Sequence, residues 1–131
     1  MIVVDASVLI EVLLRTFRAR ECEQRLFSDT WNLCAPCLLD VEIAQVLRRY
    51  ALNAELSSER GAEALSDLRD FPITRYEHEP FLTRIWELRH SLSAYDAAYV
   101  SLAEALEAPL LTCDARIANA HGHRAKVELV V

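Results

Sequence analysis

The chain of 131 residues has only 2 glycines, 4 prolines and a single lysine, Lys126. So little glycine and proline excludes collagen-like and linker-like chains and argues against a turn-dense all-β fold. No run of about 18 apolar residues occurs, so no segment reads as a membrane-spanning helix. Basic charge is also short: 20 acids against 14 bases give a net charge of −6. That balance does not suit a general electrostatic grip on nucleic acid. Met1 to Leu14 is apolar but carries Asp5 and Glu11. It lacks a basic leader and a small-residue cleavage pattern, so it does not read as a signal peptide. A cytoplasmic protein without membrane association is expected.

What is present points to a globular chain. A hydrophobic share of 53% against 26% charged excludes intrinsic disorder. The length suits one domain over residues 1–131, filled by one core. All bases but Lys126 are arginine. Genomic base composition explains that skew most simply; guanidinium contact with phosphate is the functional reading. Four cysteines stand at 22, 34, 37 and 113. Buried, reduced thiols are the default in a cytosolic chain. Cys34 and Cys37 have redox C-x-x-C spacing near a helix start, but no thioredoxin-like surroundings and no second pair to complete a zinc site. His121 and His123 read as surface loop.

Strand-like and helix-like segments alternate along the chain. Strands are expected at Ile2–Val4, Trp31–Ala35, Pro72–Tyr76, Leu110–Cys113 and Val127–Val131. Between them the periodicity predicts helices over 7–18, 20–27, 37–51, 58–70, 79–91 and 94–107, with a short one after Asp114. Ser7 reads as the cap of the first helix, and Ser57 or Ser58 as that of the fourth. Such alternation argues for an α/β fold: a central, mostly parallel sheet of about five strands, with helices on both faces. Ligands in such folds sit beyond the carboxyl ends of the strands, where strand order reverses.

Several carboxylates occupy telling positions. Asp5 ends the first strand, and Asp114 follows the strand Leu110–Cys113. Each has a hydroxyl two residues away, Ser7 and Thr112. Glu42 and Asp40 flank the apolar stripe Leu39, Ile43, Val46, Leu47 and Tyr50 on opposite sides, and the helical wheel does not choose between them. Asp96 shares a face with Tyr99, Val100 and Ala103, which should pack on the sheet. Each acid alone has an ordinary reading: Asp5 and Asp114 as caps, Asp96 as the cap of its own helix with Ser93 or Ala94 in a loop, Glu42 paired with Arg48 or Arg116. As a cluster they need a counter-charge, since two carboxylates 4 Å apart repel by roughly 4 kcal/mol at an effective dielectric of 20. Protonation, arginine pairing or a divalent cation would supply relief. An all-oxygen site suits Mg²⁺ or Mn²⁺ rather than zinc.

Val4-Asp5-Ala6-Ser7-Val8-Leu9-Ile10, the stretch PCLLDVEIAQVLR from Pro36 to Arg48, SAYDAA from Ser93 to Ala98, and LLTCDARIA from Leu110 to Ala118 resemble PIN-domain ribonucleases. More narrowly, they resemble VapC toxins of type II toxin–antitoxin systems, over nearly the whole chain. The resemblance implies a PIN-like three-layer α/β/α sandwich. It matches Asp5, Glu42, Asp96 and Asp114 to the family's acidic metal-binding and catalytic positions, and so selects Glu42 over Asp40. Ser7 and Thr112 match supporting hydroxyls. Some relatives carry a further acid where this chain has Arg116; Asn119 is a partial substitute in the supporting shell.

The implied activity is Mg²⁺- or Mn²⁺-dependent hydrolysis of RNA, leaving a 5′-phosphate. The implied partners are the RNA substrate, a cognate VapB-type antitoxin and a second copy in a homodimer. Arg15, Arg18, Arg20, Arg48 and Arg49 are candidate RNA contacts, or simply solvated helix surface. Three alternatives compete. A non-catalytic PIN-like binding module would neither bind metal nor cleave. An RNA-maturation nuclease would share the chemistry without arresting growth. An aspartyl phosphotransferase or receiver domain would need a suitably placed lysine, and Lys126 stands only at the edge of the last strand.

Overall fold

Five short strands pair in parallel in the computed structural model, which describes residues 1–28 and 32–131. They are β1 (Ile2–Val4), β2 (Leu33–Pro36), β3 (Ile73–Tyr76), β4 (Leu110–Thr112) and β5 (Val127–Leu129), in the order β3-β2-β1-β4-β5. Every described pairing is parallel, so the sheet is wholly rather than mostly so. The chain steps from β1 through β2 to β3 toward one edge, then crosses back to β4 and β5. Right-handed crossovers therefore put the helices of the two halves on opposite faces. This gives the three-layer α/β/α sandwich.

The packing agrees with that rule. On one side α1 (Ala6–Leu13) packs against α2 (Ala19–Phe27), α3 (Leu38–Leu52) and α4 (Ser58–Asp70). On the other, α6 (Ala94–Leu106) lies over β1, β2 and β4 and is flanked by α5 (Leu82–Glu87), while α7 (Ala115–Asn119) packs on β4 and β5. The two central strands are covered on both faces: Ile2, Val3, Val4, Leu110, Leu111 and Thr112 are all buried. That is why they read as continuous apolar runs rather than alternating ones. Among the described residues, no helix is long and apolar enough to cross a membrane.

Local chemistry moves several boundaries. The helix expected over 7–18 stops at Leu13, because Arg15 takes a left-handed φ of 54°. Ser7 is not its cap: Asp5 holds the cap position, and Ser7 lies inside the first turn. Ser57, not Ser58, caps α4, its Oγ accepting the Arg60 amide at 3.1 Å. The helix expected over 79–91 breaks into a 3₁₀ turn at Glu79–Phe81, then α5, then turns. Helix α6 ends where Glu107 adopts a φ of 51°, two residues before Pro109. The second strand is described from Leu33 to Pro36; its expected start at Trp31 lies outside the described residues.

Candidate active site

Strands β1 and β4 are neighbours, yet their outgoing connections run to opposite edges of the sheet. Between their carboxyl ends lies the reversal point where such folds place ligands. Asp5 stands there. Its amide donates to the Leu111 carbonyl at 3.0 Å, which fixes it level with the end of β4. Although Asp5 occupies the cap position of α1, its side chain makes no capping bond. The carboxylate turns instead to Ser7 Oγ and Thr112 Oγ1, each donating to Oδ2 at 2.7 Å.

Those two bonds spend both hydroxyl protons, so each hydroxyl can only accept from elsewhere. Ser7 Oγ accepts the Cys113 amide at 2.9 Å, and Thr112 Oγ1 accepts the Asp114 amide at 3.0 Å. The two amides donate to the hydroxyls and the hydroxyls to Asp5, a chain of hydrogen bonds that locks the turn after β4 to the end of β1. The two hydroxyl oxygens lie 3.3 Å apart with no proton left to share. Asp5 Oδ1 receives neither hydroxyl.

Asp114 caps α7, Oδ1 accepting the Arg116 amide at 2.9 Å. The Arg116 guanidinium also grips it in a fork, at 3.1 Å from Oδ1 and 2.8 Å from Oδ2. The ordinary capping reading therefore holds for Asp114 but not for Asp5. Arg116 itself is 85% exposed, so this clamp lies in solvent.

The acids left open by the α3 wheel part company in three dimensions. Asp40 forms a bidentate pair with Arg75 on β3, at 2.8 and 2.9 Å. Glu42 meets neither Arg48 nor Arg116; its Oε1 accepts a 2.6 Å bond from the Tyr99 hydroxyl. Tyr99 is fully buried on α6. Asp96 sits half-buried in the first turn of that helix, whose cap is Ser93, with Oγ accepting the Asp96 amide at 3.1 Å. Reading Tyr99 only as a core residue missed its hydroxyl. The available signal was a tyrosine three residues after an acid on a sheet-facing stripe, since a buried phenol needs a partner.

The electrostatics tie the acids together. Burial pushes the Asp5 carboxyl above the usual range, against the two hydroxyl bonds, and the charge of Asp114 pushes the same way. Glu42 is raised by burial, then by Asp5 and Asp96, with the Tyr99 bond opposing. Asp96 is raised by burial and by the charges of Asp5 and Asp114. Asp114 alone is lowered, by its bonds to Arg116. Three of the four acids feel their neighbours' charge and have no guanidinium hydrogen bond of their own.

That donor set fits a hard divalent cation, which takes oxygen ligands and offsets repulsion between them. Among the described residues, no three His, Cys, Asp or Glu side chains stand close enough to cage an ion directly. Such a site would use one or two carboxylates with water completing the shell, as Mg²⁺ commonly does. Asn119 lies at the far end of α7 from Asp114. It lines a surface groove of about 490 Å³ with His90, Ser91, Arg116 and His121. None of the four acids lines that groove. Arg15, Arg20, Arg48 and Arg49 are exposed, whereas Arg18 is half-buried beside Phe17. Cys34 is buried and Cys37 exposed, and both are free thiols; burial raises the Cys34, Cys22 and Cys113 thiols alike, which slows the reaction of each with an oxidant.

Comparison with known proteins places these features in a wider set. The PIN domain family model matches residues 2–122. Ribonuclease VapC12 of Mycobacterium tuberculosis is 38% identical over 130 residues, covering 99% of each chain. Ribonuclease VapC9 of the same organism is 44% identical over 119 residues, covering 91% of this chain and 90% of its own. Among solved structures, VapBC2 from Rickettsia felis, bound to a promoter DNA fragment, superposes with a TM-score of 0.70 over 98% of both chains at 12% identity. M. tuberculosis VapC20, a sarcin–ricin loop cleaving toxin, gives 0.71 over 90% of this chain and 93% of its own, at 14% identity. At such identities these two structures speak for the fold alone.

Proposed function

Since the chain belongs to the PIN-domain family, among its VapC ribonucleases, we propose that it is a divalent-metal-dependent endoribonuclease and the toxin of a VapBC-type pair. One PIN-like domain over residues 1–131 would carry the activity. The observation that bears most weight is Asp5. It is a buried carboxylate with no cation of its own, held by two hydroxyls on one oxygen, with Glu42, Asp96 and Asp114 acting on or feeling its charge.

Asp5, Asp96 and Asp114 would hold Mg²⁺ or Mn²⁺, one or two of them directly and the rest through water, and the ion when bound supplies positive charge at the phosphate and an acidified water. Ser7 and Thr112 keep Asp5 from rotating, so its oxygens are oriented before substrate arrives. Tyr99 holds Glu42 by Oε1, leaving Oε2 to orient the attacking water and accept its proton. A carboxyl raised by burial suits that proton transfer better than an ordinary one. Attack in line with the 3′ oxygen leaves a 5′-phosphate. Arg116, exposed beside Asp114, is placed to exchange its carboxylate for an RNA phosphate.

The partners expected are RNA, a VapB-type antitoxin and a second copy of the chain, in the cytoplasm. The antitoxin is supported by the shared fold of VapBC2 of Rickettsia felis and of a toxin–antitoxin complex from Klebsiella pneumoniae. The test is sequencing of RNA ends made by the purified, antitoxin-free protein with Mg²⁺, beside Asp5→Asn. Cleavage that needs both Mg²⁺ and Asp5 supports the reading; equal cleavage by the variant, or none by either, overturns it. Expression with and without a co-expressed antitoxin then separates a toxin, whose growth arrest is relieved, from an RNA-maturation nuclease.

A further inference from the structure

Two cysteines separated by 91 positions meet behind the proposed site. Cys22 Sγ on α2 and Cys113 Sγ, just after β4, lie 4.0 Å apart, at van der Waals contact for two sulphurs. Cys34 and Cys37 form no such contact in the structure. Cys22 is fully enclosed, whereas Cys113 is partly exposed. The position of Cys113 gives the pair its interest. It stands between Thr112 and Asp114, and its amide is the donor that Ser7 Oγ accepts at 2.9 Å while that hydroxyl holds Asp5.

We propose that Cys22 and Cys113 are a peroxide-responsive thiol pair whose disulfide switches off RNA cleavage. The bond length of about 2.05 Å requires the sulphurs to approach by about 2 Å from their present contact. Side-chain rotation and a small shift of α2 or of the turn after β4 would supply that approach. Movement of the turn carries Asp114 with it and stretches the Cys113–Ser7 bond, so the closed form loses the alignment of Asp5 and Asp114.

The chemistry balances with a hydroperoxide as oxidant. The accessible Cys113 sulphur attacks one peroxide oxygen; an S–O bond forms, the O–O bond breaks, and the first water leaves. The Cys22 sulphur then attacks Cys113 Sγ; the S–S bond forms, the S–O bond breaks, and the sulfenic oxygen leaves as a second water. Two thiols lose two electrons and two protons, and hydrogen peroxide becomes two waters. A dithiol reductant reverses the change.

The loss of cleavage rests on the ribonuclease reading, but formation of the bond does not, so the experiment records them separately. The reduced protein is treated with hydrogen peroxide, digested with trypsin without reduction and mapped by mass spectrometry, with RNA cleavage measured on the same samples. Cleavage after Arg residues leaves Cys22 in Glu21–Arg25, Cys113 in His90–Arg116, and Cys34 with Cys37 in Leu26–Arg48. The expected species joins Glu21–Arg25 to His90–Arg116. Its appearance should coincide with a fall in cleavage of roughly 10²-fold, the cost of a displacement of about 1 Å at a reacting centre. Dithiothreitol should restore cleavage, and Cys22→Ser should cleave normally before and after peroxide. A bond only within Leu26–Arg48, no linked peptide, or a linked peptide with undiminished cleavage would each overturn the proposal. Failure of the reduced wild type to cleave would instead strike the ribonuclease reading. The peptide map needs no variant, so a poorly folding Cys22→Ser leaves the test intact.

Discussion

Replacing Asp5 by Asn should make the metal-free protein more stable while removing its activity. Asp5 is 6% exposed and lies among three other acids. At an effective dielectric of 20, two like charges about 7 Å apart repel by roughly 2 kcal/mol. With two such neighbours ionised, removing the charge relieves about 4 kcal/mol. Asn keeps an oxygen for Ser7 and Thr112 but makes those bonds neutral, a loss of about 1 kcal/mol each. The balance is a gain of about 2 kcal/mol, or about 5–10 °C in Tm for a chain of this size. Thermal melts at pH 7.5 in EDTA and in Mg²⁺ measure it.

The pH dependence has a definite sign. Asp5, Glu42 and Asp96 have carboxyls raised by burial, so the folded state retains protons that the unfolded chain releases. Their contribution to stability therefore falls as pH rises from the ordinary carboxylate range through their raised values. Asp114 and Glu104, lowered by Arg116 and Arg84, contribute in the opposite sense: their stabilisation is present above the ordinary range and lost on acidification. Without metal, the wild type should lose stability between mildly acidic and neutral pH, and Asp5→Asn should lose less. A variant that melts below the wild type in EDTA, with a wild type indifferent to Mg²⁺, would refute this reasoning.

Glu42→Gln should lower cleavage by at least about 10²-fold, the typical worth of a positioned acid–base group. Asp40→Asn should leave cleavage within about twofold, since its partly exposed pair with Arg75 carries at most about 1 kcal/mol; RNA turnover of the two variants checks both. Tyr99→Phe removes the one hydrogen bond that opposes the rise of Glu42, so its carboxyl should rise further. Urea unfolding at pH 7.5 should show a loss of about 1.5–3 kcal/mol, the usual worth of a bond to a charged group. Arg116→Ala frees Asp114 from a solvent-exposed competitor and should tighten Mn²⁺ binding by up to about fivefold, the ceiling for an exposed pair; calorimetric titration measures it.

The parallel sheet was legible because a strand buried on both faces needs an apolar run, as Ile2–Val4 and Leu110–Leu111 provide. Where elements end was less legible. The stop at Leu13 depends on Arg15 adopting a left-handed φ, which no residue type there announces. Asp5 and Asp114 could be located at strand ends from the alternation alone, but their different fates could not. Both stand at helix caps, and only the fold shows that Thr112 reaches Asp5 while Arg116 turns back on Asp114. Residue pattern left Glu42 and Asp40 equivalent, since they flank one stripe symmetrically. Their partners, Tyr99 and Arg75, come from elements 57 and 35 positions away. Contacts of that range are set by strand order, not by local periodicity.

The most direct measurement is a calorimetric titration of Mn²⁺ into the metal-free, antitoxin-free protein, with Asp5→Asn titrated alongside. Saturable binding by the wild type, lost in a variant that stays folded, is the expected result. No binding by the wild type, or identical isotherms for the two proteins, would contradict a cation site centred on Asp5.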